Sequence, residues 1–322
     1  MNIAVIGTNF ISDNFCTATR LCDNVNVLAV YSRTRERGEE FASRWGIPRT
    51  YSDLSSMLAD GDIDAVYVAS PIYAHREQSI RAMESGKHVL CEKMMAGTLE
   101  DFYAMKEASE KCGRVLLEAM RPAHDPLIDA VRENLPKIGK IRRASLEFCQ
   151  YSSRYDKFKA EIVENAFDPK IKNSALSDIG IYPLYLALSL FGEPRSLASR
   201  SVFLENGFEG EGILTLDYDD KLVSVTYSKI FGGALPSVIE GEGGSIIINK
   251  ISAPTEITLR LRGEEPRRIG FAETEENMHY EIRAFRDACE GRLDHKPYLA
   301  ITEMQQKIVD LSYKMSGAEK YF

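Results

Sequence analysis

The chain has 322 residues, 44% of them hydrophobic and 27% charged, a balance that excludes a disordered chain, a collagen-like repeat and a disulfide-stapled miniprotein. Lysine plus arginine number 40 against 48 aspartates and glutamates, a net charge of −8, which argues against broad electrostatic capture of nucleic acid or of an anionic membrane. The length suits two domains, and a small-molecule partner is the default expectation.

In chain order, short aliphatic runs at Ile3 to Ile6, Val27 to Tyr31, Ala65 to Ala69, His88 to Cys91 and Val115 to Glu118 alternate with helix-like segments. Continuous aliphatic runs are what strands buried on both faces require, so the first third predicts a doubly wound parallel α/β sheet. One helix follows Ser32 and stops before Gly46-Ile47-Pro48; another starts near Thr98, with Asp101 completing a capping box, and ends at Gly113. After about Pro122 come a helix from Asp125 to Leu135, a strand around Ala144 to Tyr151 and a long apolar helix from Ala175 to Phe191. Six β-branched or alternating runs follow, Leu197 to Leu204, Gly210 to Tyr218, Leu222 to Ile230, Ser237 to Glu240, Ser245 to Asn249 and Thr255 to Leu261, which read as an antiparallel sheet. Two amphipathic helices, about Glu275 to Cys289 and Ile301 to Met315, close the chain. The expected fold is α/β: a Rossmann-type domain over 1–120, then an α+β domain over 121–322 with a large, mostly antiparallel sheet, the last helix packing back on the first domain.

No run approaches the roughly 18 to 20 apolar residues of a membrane helix, and the first residues carry no basic leader, so a cytoplasmic protein without membrane contact is expected. The six cysteines show no Cys-x-x-Cys spacing and read as reduced thiols; the five histidines are scattered, so no metal site is expected.

The first strand runs into Gly7-Thr8-Asn9-Phe10-Ile11-Ser12, where a dinucleotide-binding fold carries its Gly-x-Gly-x-x-Gly turn. Only the first glycine is present. Asn9 stands at the second as a residue tolerant of left-handed backbone, and Ser12 at the third is small enough for helix and strand to approach. Gly7, Thr8, Asn9, Phe10 and Ile11 are thus candidates to hold a pyrophosphate on main-chain amides. The second strand ends Ser32-Arg33, with no acidic residue for a ribose 2′-hydroxyl. Arg33, with Arg37 a turn later, suits a 2′-phosphate instead, which favours NADP(H) with NAD(H) as the alternative. The competing reading makes these arginines a solvated helix start interleaved with Glu36 and Glu39.

Two further strand ends lie at the carboxyl edge, where ligands bind in such sheets: Ser70-Pro71-Ile72-Tyr73-Ala74-His75 and Cys91-Glu92-Lys93-Met94-Met95. Together with Asp178-Ile179-Gly180-Ile181-Tyr182 they resemble, over nearly the whole chain, the Gfo/Idh/MocA family, the glucose-fructose oxidoreductase and inositol dehydrogenase relatives. The family's Glu-Lys-Pro, Pro-Asn-x-x-His and Asp-x-Gly-x-His segments are each matched with one change. Tyr182 in place of the histidine is most similar to the dihydrodiol dehydrogenase and glucose-fructose oxidoreductase branches.

The resemblance implies an NAD(P)-dependent oxidoreductase that moves a hydride between nicotinamide and a hydroxyl or carbonyl carbon of a sugar, cyclitol or cyclic diol. It makes Lys93, Tyr182 and Asp178 catalytic: Tyr182 moves the proton, its phenol made more acidic by the Lys93 ammonium, and Asp178 holds a neighbouring hydroxyl. Asp178 and Tyr182, four apart, are expected on one helix face, in a pocket shared with Lys93. Ser32, Ser70, Pro71, His75, Glu92, Lys93 and Arg121 join the cofactor-binding set, Glu92 orienting Lys93. Each has a bland alternative: a surface lysine, a core tyrosine, an aspartate answering the helix dipole, a helix-start histidine. His124 lines a pocket entrance or caps the next helix, and Met94 and Met95 line the nicotinamide pocket or fill core. A homodimer or homotetramer through the carboxy-terminal sheet is expected. The rival function is a non-catalytic NAD(P)-sensing regulator on the same fold.

Overall fold

A computed structural model describes residues 1–321. The chain forms two compact units, Met1–Met120 with Glu276–Thr302, and Arg121–Glu275 with Glu303 onward.

The first unit begins β1 (Asn2–Ile6), α1 (Phe10–Thr19), β2 (Asn26–Tyr31), α2 (Arg35–Trp45), β3 (Arg49–Tyr51) and α3 (Leu54–Leu58). It continues β4 (Ala65–Val68), α4 (His75–Glu84), β5 (His88–Glu92), α5 (Leu99–Cys112) and β6 (Leu116–Ala119). The six strands are parallel in the order β3-β2-β1-β4-β5-β6, the doubly wound arrangement. Successive strand residues feed opposite cores: Ala4, Ile6, Val66, Val68, Val89 and Cys91 face one layer, and Ile3, Val5, Ala65, Tyr67 and Leu90 the other. That two-sided burial is why these strands read as unbroken apolar runs. α5 has the caps its sequence announces, Thr98 accepting from the Asp101 amide and Gly113 closing the helix in left-handed conformation.

The second unit carries α6 (Pro126–Asn134), β7 (Ile141–Cys149), α7 (Tyr155–Lys159) and α8 (Ile181–Phe191). Strands β8 (Ser196–Phe203), β9 (Glu209–Tyr218), β10 (Lys221–Ser228), β11 (Ser237–Gly241), β12 (Gly244–Ile248), β13 (Glu256–Leu261) and β14 (Arg267–Phe271) follow. Its eight strands run β14-β13-β12-β11-β7-β10-β9-β8. All neighbours are antiparallel except β7 and β10, which are parallel, so the sheet is mostly antiparallel as expected. The parallel pair arises because β7 and β10 are joined by a long connection through α7, α8, β8 and β9 rather than by a turn. One face of the sheet is dry, with Ala144, Leu146, Leu214, Leu216, Val223, Val225 and Tyr227 fully buried and α8 packed on β7 and β10; Val202, Ile213 and Leu222 are exposed.

The chain then forms α9 (Met278–Cys289) and α10 (Lys296–Ser316). The segment that returns to the first unit is Glu276–Thr302, which holds α9 and the start of α10, whereas the last helix from Glu303 onward belongs to the second unit, so it is not the last helix as a whole that returns. Met278, Ile282, Phe285 and Ala288 recur at helical spacing and join the core that contains Phe15 of α1. No helix among the described residues is long and apolar enough to cross a membrane, and no group of three or more His, Cys, Asp or Glu among them is placed to hold a metal ion.

Candidate active site

At the end of β1 the main chain turns at Gly7, with φ +113°. A Cβ there would lie 2.7 Å from the Ala69 carbonyl oxygen, so only glycine fits. Asn9 is not left-handed. With φ −94° and ψ 179° it is the N-cap of α1, its Oδ1 accepting from the Ser12 amide at 3.2 Å while its Nδ2 donates to the Ala69 carbonyl at 2.8 Å. It thus replaces the second glycine by a cap that also ties the turn to the end of β4. Ser12 is fully buried, as close helix-strand packing requires; Thr8 and Ile11 are half-buried and Phe10 exposed.

At the end of β2, Ser32 is buried, whereas Arg33 and Arg37 are exposed and make no hydrogen bond or ion pair among the described residues. Their neighbour Arg35 is engaged by Glu39 at 2.7 Å. Thr34, the N-cap of α2, makes no side-chain capping bond. A glycine turn leading into the α1 start, with two uncommitted guanidiniums beyond β2, is a donor set that fits the phosphates of a dinucleotide.

The ends of β4, β5 and β6 are tied by buried polar groups. His75, at the start of α4 and only 2% exposed, sets Nε2 at 2.7 Å from the Ser70 carbonyl and Nδ1 at 3.2 Å from the Met95 carbonyl. Ser70 Oγ donates to Gln78 at 2.6 Å, and Pro71 opens the short turn before α4. The Met95 amide donates to buried Glu118 at 2.9 Å, whose other oxygen accepts from Thr302 at 3.1 Å. Glu92 is buried, accepts from the Tyr67 hydroxyl, and takes the Lys93 amide at 3.2 Å, so it fixes the main chain at Lys93. The Lys93–Met94 peptide is cis, Lys93 is half-buried, and Met95 packs in the core with Met105 and Leu116. Glu118 and Tyr67 were missed by sequence reading, being single polar residues inside apolar strands.

Burial lowers the His75 pKa, so the folded protein resists the proton that the unfolded chain accepts near pH 6.5. The contribution is therefore intact above that pH and lost as the pH falls below it. Between pH 7.5 and 5.5, urea denaturation is expected to show wild type losing more stability than His75→Gln. Equal losses would contradict this.

In the second unit, Asp178 lies within a π-helical turn, Leu176–Gly180, that leads into α8. The four-residue spacing to Tyr182 therefore does not have its α-helical meaning, because a π turn bonds i to i+5. The turn is fixed from behind: the Leu176 amide donates to buried Glu209 at 3.2 Å, and a Cβ on Gly180 would lie 2.6 Å from the ring of Tyr227. Tyr182 is 9% exposed, its ring 5.7 Å from that of Phe148. Asp178 Oδ2 is 2.8 Å from Lys229 Nζ, a partner that sequence reading missed. Arg121 donates to the Glu275 carbonyl at 2.8 Å within this unit. Burial lowers the His124 imidazole pKa to about 4 and pushes the Cys149 thiol up to about 12. All six cysteines are free.

Residues 1–120 match the oxidoreductase family with an NAD-binding Rossmann fold, and residues 134–247 match the Gfo/Idh/MocA carboxy-terminal domain. The chain is 39% identical to the scyllo-inositol 2-dehydrogenase (NADP(+)) IolU of Bacillus subtilis, over 88% of this chain and 87% of that protein. It is 26% identical to trans-1,2-dihydrobenzene-1,2-diol dehydrogenase of Mus musculus, over 97% and 96%. Among solved structures it is similar in fold to KijD10, a 3-ketoreductase from Actinomadura kijaniata in complex with NADP and TDP-benzene, with a TM-score of 0.87, 21% identity and 98% of each chain covered. Sequence and fold together establish that the chain belongs to the Gfo/Idh/MocA family of NAD(P)-binding oxidoreductases.

Proposed function

We propose that the protein is an NADP-dependent dehydrogenase of a cyclitol or a related polyhydroxylated ring, with scyllo-inositol the first substrate to test. The observation that carries the cofactor preference is the uncommitted Arg33 guanidinium beyond β2, where no carboxylate stands to receive a ribose 2′-hydroxyl. The substrate class is supported by the activity named for the Bacillus subtilis relative and by the ring diol named for the mouse one.

In this reading the hydride is supplied or accepted by the nicotinamide when it is bound. Tyr182 gives or takes the proton at the substrate oxygen, and the Lys93 ammonium stabilises negative charge developing there. Asp178 accepts a hydrogen bond from a neighbouring ring hydroxyl. Glu92 and Glu118 hold the main chain on either side of Lys93, so that its side chain starts from a fixed base. Gly7 and the α1 start bind the pyrophosphate, and Arg33 with Arg37 the 2′-phosphate.

A panel of sugars, cyclitols and cyclic diols offered with NADP+ and followed at the nicotinamide absorbance band tests the assignment. Turnover on a cyclitol is expected; NADPH binding without turnover on any member would favour the regulatory alternative. The exposed sheet face bearing Val202, Ile213 and Leu222 is proposed as the surface through which two copies pair. Light scattering is expected to give at least twice the 36.2 kDa chain mass, and a single-chain mass would refute the pairing.

A further inference from the structure

Lysine is rarely buried without a purpose or a partner, and Lys229 has only 4% of its side chain exposed. It follows β10 with the parity of Val223, Val225 and Tyr227, which are fully buried on the inner face. Its main chain is fixed on both sides, the amide donating to the Gly210 carbonyl and its own carbonyl accepting from the Ser152 amide, each at 2.9 Å. The ammonium donates to the Ala166 carbonyl at 2.6 Å and lies over the rings of Phe167 and Phe208, 4.8 and 5.1 Å from their centroids. Both rings are fully buried and stand 4.8 Å apart. The charge therefore sits in a rigid aromatic box, held by a carbonyl and two ring faces.

From that box Lys229 Nζ reaches Asp178 Oδ2 at 2.8 Å, and Asp178 is the more open partner, with 35% of its side chain exposed. The pair thus sets a buried cation against a half-buried carboxylate. We propose that Lys229 is a positioning residue for substrate recognition: it keeps Asp178 aimed, so that the carboxylate accepts a hydrogen bond from a substrate hydroxyl without first being oriented. The inference rests on the reading of Asp178 as a substrate-binding residue. Orientation of this kind acts on affinity and alignment, and about 1 Å of misplacement can cost about a hundredfold in rate.

The test is a double-mutant cycle on Lys229→Met and Asp178→Asn, with thermal unfolding of each variant recorded and scyllo-inositol with NADP+ as the probe. Lys229→Met is expected to raise the KM for scyllo-inositol about 10- to 100-fold while the KM for NADP+ changes less than about twofold. A merely structural ion pair would instead lower the active fraction and leave both KM values alone. The double variant is expected to be no worse in kcat/KM than Asp178→Asn, since a residue acting through Asp178 has nothing left to act on. If Asp178→Asn is impaired and Lys229→Met adds its full loss to it, the positioning role fails while the Asp178 reading stands. If Asp178→Asn behaves as wild type, the Asp178 reading fails and takes the positioning role with it. A crystal structure of Lys229→Met decides the hold on Asp178 without turnover: a carboxylate displaced by about 1 Å or more supports the proposal, and an unmoved one overturns it.

Discussion

Replacing Tyr182 by phenylalanine is expected to lower kcat by about 10²- to 10⁴-fold, the range that loss of a positioned acid or base produces. The substitution removes one oxygen and keeps the ring, so the contact with Phe148 and the packing of α8 are preserved. Any loss therefore reports on the hydroxyl and its hydrogen bonding rather than on the packing of the ring. In the reading given above, the hydroxyl acts only as the proton moves, so kcat and kcat/KM should fall together. Lys93→Ala is expected to fall at least as far, because charge developing on the substrate oxygen loses its counter-ion. Steady-state kinetics with matched circular dichroism spectra checks both. A Tyr182→Phe protein within about threefold of wild type would assign the proton to another group.

The second large effect is expected at Arg33. Arg33→Ala should weaken NADPH binding about 10- to 100-fold, the value of a charge-assisted, bidentate phosphate contact, and leave NADH binding within about twofold. The asymmetry is the informative part, since the two cofactors differ only in the 2′-phosphate. Arg33 is exposed and makes no ion pair among the described residues, so its removal breaks none of their contacts. Fluorescence titrations of both reduced cofactors measure the ratio, and equal losses would refute the phosphate assignment.

The elements legible from sequence were those whose physics is local or symmetric. β1, β4 and β5 are buried on both faces and so read as aliphatic runs, and α5 is bracketed by Thr98 and Gly113. β3 has three residues, and β14 is an edge strand reading Arg-Arg-Ile-Gly-Phe, without an apolar alternation to detect. The π turn at Leu176–Gly180 has no signature of its own among apolar residues, because it is set by Glu209 and Tyr227 from elsewhere in the chain. The return of α9 to the first unit depends on which core its apolar stripe meets, and the stripe alone names no partner.

The candidate site divides in the same way. Gly7, Arg33, Lys93, Asp178 and Tyr182 were singled out by motif position, whereas the groups that hold them, Glu118, Tyr67, Glu209 and Lys229, were not. These are single polar residues in apolar strands or beside them, and only a contact map gives them partners. Lys229 had one readable signal: the two-residue period of β10, carried one step further, puts it on the buried face. Asn9 illustrates the converse. Its identity was informative, but its use as an N-cap instead of a left-handed turn residue follows from the Ala69 carbonyl across the sheet.

The most direct measurement is the oxidation of scyllo-inositol by the purified protein with NADP+ and with NAD+, run beside Lys93→Ala. The expected result is turnover with a kcat/KM at least about tenfold higher for NADP+, consistent with one phosphate contact, and its loss in the variant. Preference for NAD+, or a Lys93→Ala protein that turns over at the wild-type rate, would contradict it.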